Sequence, residues 1–356
     1  MINVTKTYLP PLAEYNKYLE EIWDRAYVTN RGPLVLELEA KLKEYLGVKH
    51  LLFVSNGTIA LQIAIKALNL TGEIITTPFS YVATTTAILW ENCQPVFVDI
   101  EDKTFCIDPD KIEAAITDKT TAILATHVYG YPCQVECIKQ IADKHNLKVI
   151  YDGAHAFGVK VDNTSVLNFG DVSTLSFHAT KLFHTIEGGA IITNNDELAR
   201  QIMLYHQFGH IGDDYYTMGV NGKNSELHAA MGHCNLPLVQ EFILERKKLA
   251  ELYDSLLLPL NLTRPVQPAG IAYNYSYYPV VFKNEKTLLK VKENLLENKI
   301  NSRRYFYPSL NNLPYFKGEN CPVSEGVASR VLCLPMYQKL NEEDVQRICG
   351  IIKDTL

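Results

Sequence analysis

The stretch Val172-Ser-Thr-Leu-Ser-Phe-His-Ala-Thr-Lys181-Leu-Phe-His-Thr-Ile-Glu-Gly-Gly-Ala-Ile-Ile-Thr193 decides how the chain is read. Residues Val172 to Phe177 and Gly189 to Thr193 have strand composition, and the residues between them carry a lysine among small and polar neighbours. Lys181 therefore falls on a short loop where two strands end. A lysine held in such a place can lose its proton and attack a carbonyl. Alone it would look like any surface lysine. Two distant stretches give it company. Leu147-Lys-Val-Ile-Tyr-Asp152 reads as a strand closing on a carboxylate, and Ser55-Asn-Gly-Thr58 joins a strand to a helix.

Outward from that stretch, the pattern repeats. Seven short β-like runs lie at 50–55, 73–77, 94–100, 121–128, 148–152, 172–177 and 189–193. Helical stretches at 58–68, 81–91, 109–115 and 135–145 separate most of them. Strands alternating with helices predict an α/β protein whose mostly parallel sheet is covered on both faces. In such sheets the ligand sits beyond the carboxyl ends of the strands, where Asn56 to Thr58, Asp152 and Lys181 all fall. Ahead of the sheet, Leu34, Leu38, Leu42 and Leu46 recur at i+4 on a helix that Gly47 closes. Beyond it, residues 196–208, 225–234 and 236–257 read as helices, and two prolines mark the segment 261–270. The remainder suits strands at 275–283, 301–306 and 330–334 with helices at 285–298 and 341–356. The expected organisation is a large α/β domain, 1–240, and a small C-terminal α+β domain, 241–356.

The chain has 356 residues, 47% hydrophobic and 21% charged, enough for a substantial core. A formal net charge of −6 argues against nucleic acid or an anionic membrane as partner. No apolar run is long enough to span a bilayer, and the N-terminal residues lack a signal-peptide stretch. The eight cysteines include no Cys-x-x-Cys pair and read as reduced thiols, so the expected location is the cytoplasm.

The chemistry follows from residue types. The helix after Asn56-Gly57-Thr58 begins with unpaired amides, an anion site with a favourable dipole; Gly57 admits a phosphate to the backbone and Thr58 adds a hydroxyl. An ordinary helix cap would have the same letters. Asp152 can keep a pyridine nitrogen protonated, and His155, three residues on, can reach the ring. Ser176 closes its strand facing the same way, and Tyr81 can stack on a ring. A lysine, a strand-end carboxylate and a phosphate-sized turn are what pyridoxal 5'-phosphate requires. Other signatures fail: there is no G-x-G-x-x-G, G-x-x-x-x-G-K-[ST] or G-x-S-x-G. His206 and His210 have zinc-like spacing, but Gly209 lies between them, so no metal is expected.

From about Tyr27 to its end, the chain resembles the DegT/StrS-type sugar aminotransferases. The resemblance rests on Thr29-Asn-Arg-Gly-Pro33, Ser55-Asn-Gly-Thr58, Thr77-Pro-Phe-Ser-Tyr-Val-Ala-Thr84, Pro95-Val-Phe-Val-Asp99 and His127-Val-Tyr-Gly130. It continues through Tyr151-Asp-Gly-Ala-His-Ala-Phe-Gly158, Ser176 to Gly189 and Gly219-Val-Asn221. It implies the aspartate-aminotransferase fold (fold type I of pyridoxal-phosphate enzymes), with the pyridoxamine form arising in the half-reaction. Carried over residue by residue, Lys181 attaches the cofactor and moves the proton, Asp152 pairs the ring nitrogen, Tyr81 stacks and His155 lies near the phenolic oxygen. Gly57, Thr58 and Ser176 bind phosphate. Asn221 matches an asparagine that reaches the phosphate from a partner subunit, which implies a homodimer with shared sites.

The wording Phe177-His-Ala-Thr-Lys181 is most similar to the branch that aminates C4 of dTDP-4-keto-6-deoxy-D-glucose with L-glutamate as donor. The alternatives are a C3 ketosugar aminotransferase and a sugar dehydratase, whose histidine in place of the lysine is not found here. Asn30, Lys223, Arg303 and Arg304 are candidates for holding the nucleotide-linked sugar. Gly153, His184 and Asn224 depart from the usual residues, and the last two flank the site.

Overall fold

Strand composition and strand position agree closely. The computed structural model describes residues 1–316 and 320–356. Seven strands form its central sheet: β1 (His50–Val54), β2 (Glu73–Thr76), β3 (Gln94–Phe97), β4 (Thr120–Thr126), β5 (Lys148–Asp152), β6 (Val172–Ser176) and β7 (Gly189–Thr193). They lie side by side in the order β1-β7-β6-β5-β4-β2-β3. Neighbours from β6 to β3 are parallel, and β7 alone runs against both β1 and β6. Nearly every residue of β4, β5 and β7 is buried, because helices cover both faces; this is why these strands read as unbroken apolar runs.

Helices α1 (Leu12–Arg25), α2 (Pro33–Leu46), α3 (Gly57–Ala67), α4 (Ala83–Trp90), α5 (Val135–His145), α6 (Asp196–His206) and α7 (Glu226–Asn235) surround the sheet. Helix α2 ends at Gly47, whose left-handed φ of 63° suits a residue without a side chain. Helix α3 buries Ala60, Leu61, Ile63, Ala64, Ile65 and Ala67 against one face of the sheet.

A second apolar core lies in the C-terminal part. Strands β8 (Tyr278–Val281) and β9 (Val331–Leu334) pair antiparallel, packed by α9 (Glu285–Glu297) and α11 (Glu342–Thr355). Helix α8 (Val239–Leu257) belongs to both interiors: Val239 and Phe242 enter the first, while Leu249, Ala250, Tyr253 and Leu257 enter the second. Between them, Arg246 is buried; its guanidinium donates to the Ser276 carbonyl (2.9 Å) and to Gln338 Oε1 (3.3 Å).

Three expectations need correction, and one element was not expected. Residues 109–115 form two 3₁₀ turns, not a helix, since Ile116 is already extended. Tyr81 precedes α4, which starts at Ala83. Residues 301–306 are not a strand: Arg303 makes one isolated bridge to Cys333, and the chain then turns, sending Tyr305 and Phe306 inward. A further helix, α10 (Pro322–Arg330), has no counterpart in the sequence reading.

Candidate active site

The carboxyl ends of β1, β5 and β6 open on one cavity of about 260 Å³. Asp152, Lys181, Gly57, Thr58, Ser176, Tyr81 and His155 all line it, as does Arg303. Stretches scattered through the chain converge there because parallel strands end on the same edge of the sheet.

Asp152 is 6% exposed and its carboxylate is held from two sides. Thr84 Oγ1 donates to Oδ2 at 2.8 Å and the Ala154 amide to Oδ1 at 3.0 Å. Behind Thr84, the Ser80 hydroxyl lies 2.7 Å from Thr84 Oγ1 and 3.1 Å from Thr126 Oγ1. Burial raises the pKa of Asp152; the Thr84 and Ala154 hydrogen bonds and the Lys181 charge oppose it. A buried carboxylate with two donors and an open cavity beside it suits a protonated ring nitrogen.

Lys181 is partly buried, and its Nζ lies 3.3 Å from the Tyr277 hydroxyl. Burial lowers its pKa, Asp152 pulls the other way, and Arg303 adds to the lowering. The result is an amine nearer to neutrality than a surface lysine, as a nucleophile and base requires.

His155 accepts the Tyr129 amide at Nδ1 (3.2 Å), which assigns its proton to Nε2. Burial holds its pKa well below the usual histidine value, so the ring is neutral. Phe306 stacks on it at 5.6 Å.

At the opposite wall, the Asn56 side chain caps α3 by accepting the Ile59 amide at 2.8 Å. The amides of Gly57 and Thr58 have no partner within the helix. A Cβ on Gly57 would stand 3.0 Å from Ser176 Cβ, so only glycine leaves the turn open against β6. An unfilled helix N-terminus beside a serine, across from the Asp152 carboxylate and the Lys181 amine, fits pyridoxal 5'-phosphate with its phosphate at α3.

The remaining predicted residues lie elsewhere. Arg304 pairs with Glu285 (2.6 Å) and donates to the Ser329 carbonyl. Lys223 packs its ammonium over the Phe208 ring. Asn30 sits in the left-handed loop before α2, and its carbonyl accepts the Tyr27 hydroxyl. Asn221 is exposed and bridges to Gln207. His184 and Asn224 bond to backbone: His184 Nε2 to the Tyr8 carbonyl, Asn224 to the carbonyls of Val54 and Glu187. Tyr277, Tyr305 and Phe306 line the cavity and escaped the sequence reading, as did Thr84, which holds Asp152. Thr84 had a signal, one helical turn after Tyr81; the two tyrosines arrive on irregular chain and had none.

The sequence profile of the DegT/DnrJ/EryC1/StrS aminotransferase family matches residues 12–353. The dTDP-4-amino-4,6-dideoxy-D-glucose transaminase of Shigella dysenteriae is 44% identical over 361 residues, covering 99% of this chain and 98% of its own. The enzyme of that name from Escherichia coli is 44% identical over 365 residues, with the same coverage. Among solved structures, DesI in the presence of its TDP-sugar product superposes with a TM-score of 0.95 at 31% identity, covering 99% of this chain and 92% of that one.

Proposed function

The chain belongs to the DegT/DnrJ/EryC1/StrS aminotransferase family and uses pyridoxal 5'-phosphate; on that premise we propose that it moves the amino group of L-glutamate to C4 of dTDP-4-keto-6-deoxy-D-glucose, forming dTDP-4-amino-4,6-dideoxy-D-glucose. One observation carries the reading: amine, carboxylate and helix N-terminus share a single cavity, in a chain that matches relatives of that named activity from end to end.

When bound, the cofactor serves as an electron sink for the carbon that loses or gains a proton. Lys181 would attach it, and is the base that would take the α-proton of glutamate and return a proton to the sugar carbon; one base serves both halves. Asp152, kept anionic by Thr84 and the Ala154 amide, holds the ring nitrogen in its protonated form. Gly57, Thr58 and Ser176 hold the phosphate. Tyr81, on the cavity lining, would cover the ring face, and His155 would offer its Nε2 proton to the phenolic oxygen. Arg303 is the cation for the anionic parts of the substrates. Arg304, engaged by Glu285, is a weaker candidate, and Asn30 and Lys223 remain candidates from the outer rim.

The working unit is a homodimer, with Asn221 reaching the partner's phosphate site. The exposed apolar side chains Phe208, Ile211, Tyr215, Tyr216 and Met218 beside Asn221 support this reading. Among the described residues no helix is long and apolar enough to cross a membrane, and we place the enzyme in the cytoplasm. Its product enters surface-polysaccharide (O-antigen) or natural-product sugar synthesis. Division into domains 1–240 and 241–356 is part of the same proposal. A C3 aminotransferase is the second reading, and a dehydratase is disfavoured by Lys181.

The test is incubation with dTDP-4-keto-6-deoxy-D-glucose and L-glutamate, with the product examined by mass spectrometry and NMR. Amination at C4 supports the proposal. No amination of this substrate while its 3-keto isomer is aminated, or loss of water without amination, defeats it.

A further inference from the structure

Tyr277 is the direct partner of the Lys181 amine, at 3.3 Å. Its surroundings are unusually fixed. Just ahead of it, Asn274 donates from one amide group to the carbonyls of His155 (2.8 Å) and Phe157 (3.0 Å). Ser276 Oγ donates to the His155 carbonyl at 3.2 Å, and the Tyr273 hydroxyl to the Tyr129 carbonyl at 3.0 Å. The segment 273–277 is thus tied to the loop that follows Asp152. The Tyr277 ring is then wedged edge-on between His155 (4.9 Å, 72°) and Tyr305 (5.5 Å, 78°), with Tyr129 beside it. Burial raises its pKa, so the phenol keeps its proton through the working range.

A lysine side chain has four rotatable bonds, and the reaction leaves its amine unattached for part of each cycle. An immobile phenol can donate to the neutral amine and accept from the ammonium, so it suits both protonation states. We propose that Tyr277 is a positioning residue for Lys181: its hydroxyl pins the free amine at the cavity wall, within reach of the reacting carbon, between proton transfers. This rests on the reading of Lys181 given above.

The test compares Tyr277→Phe with the wild type after removal of the cofactor. On adding pyridoxal 5'-phosphate, the Lys181 amine condenses with the aldehyde and one water leaves, and absorbance follows the linkage. The variant links about tenfold more slowly, the scale of one aligned hydrogen bond to a reacting group. Affinity for pyridoxamine 5'-phosphate, which has no aldehyde to link, is unchanged. Tyr253→Phe, which removes a buried phenol bonded to the Pro335 carbonyl in the second core, links at the wild-type rate. A wild-type rate in Tyr277→Phe overturns the proposal. So does a pyridoxamine-phosphate affinity that falls as far as the linkage rate, since the phenol would then shape the cavity rather than hold the amine. Lys181→Ala separates the two readings: no linkage in that variant keeps Lys181 as the attachment point even where Tyr277→Phe behaves as wild type, whereas linkage in it defeats both.

Discussion

The sheet edge around Asp152 and the core between α9 and α11 are both closed to water, yet they are made of opposite materials. At the edge, Thr76, Thr77, Ser80, Thr84, Thr126, His127, Asp152 and His155 are all buried. In the C-terminal core most buried side chains are aliphatic, among them Leu288, Val291, Leu295, Ile300, Leu332, Val345, Ile348 and Ile352. A buried polar group costs stability unless it is bonded, so a chain keeps a cluster of them only where chemistry needs it. At the edge they bond one another, through Ser80, Thr84 and Asp152; His127 Nε2 and Thr76 Oγ1 have no partner among the described residues. The C-terminal core needs such pairing only at its tyrosines, Tyr253 to the Pro335 carbonyl and Tyr278 to Asp254, and serves as ballast.

The contrast can be broken by substitution, starting with the largest effect. Lys181→Ala abolishes the lysine-linked cofactor absorbance and lowers turnover by about 10⁴-fold or more, read from amino-sugar formation. Arg303→Ala raises KM for the sugar nucleotide by about 30-fold, the worth of a charge-assisted contact, while kcat changes little; steady-state kinetics decide. Thr84→Val lowers kcat by about fivefold and, more tellingly, moves the acid limb of the kcat profile. Removing the Thr84 donor takes away an influence that lowers the Asp152 pKa, so that pKa rises further and activity is lost at a higher pH than in the wild type. Leu295→Ala, in the C-terminal core, destabilises by about 3 kcal/mol in denaturant unfolding yet leaves kinetic constants within about twofold. A kinetic effect there as large as that of Thr84→Val would erase the distinction between the regions.

The same contrast explains what could be read from the letters. All seven sheet strands were legible because burial on both faces leaves apolar runs bounded by turn residues. Asp152, Ser176 and the Asn56 turn were legible because each closes such a run. Of the C-terminal contributions, Arg303 was named from its charge without its place in the fold, and Tyr277 was not named. Tyr277 and Arg303 lie on irregular segments whose course is set by Asn274 gripping the His155 and Phe157 carbonyls and by the Arg303 bridge to Cys333. Helix α10 shows why local reading fails there: its first amides, Val323 and Ser324, donate to the Asp99 carboxylate at 3.0 and 2.9 Å, and that cap comes from 224 residues upstream of Val323. No window of neighbouring residues contains it. Arg304 shows a limit of reading charge alone: a cation beside another cation looks like a phosphate clamp, and only the fold brings Glu285 to it.

Helix α8 has a thermal consequence. A single rod with one end in each interior and Arg246 fastened at the crossing leaves neither interior able to melt while the other keeps its packing. Calorimetry on the full chain therefore gives one endotherm rather than two, and cutting the rod at its midpoint is what would split it.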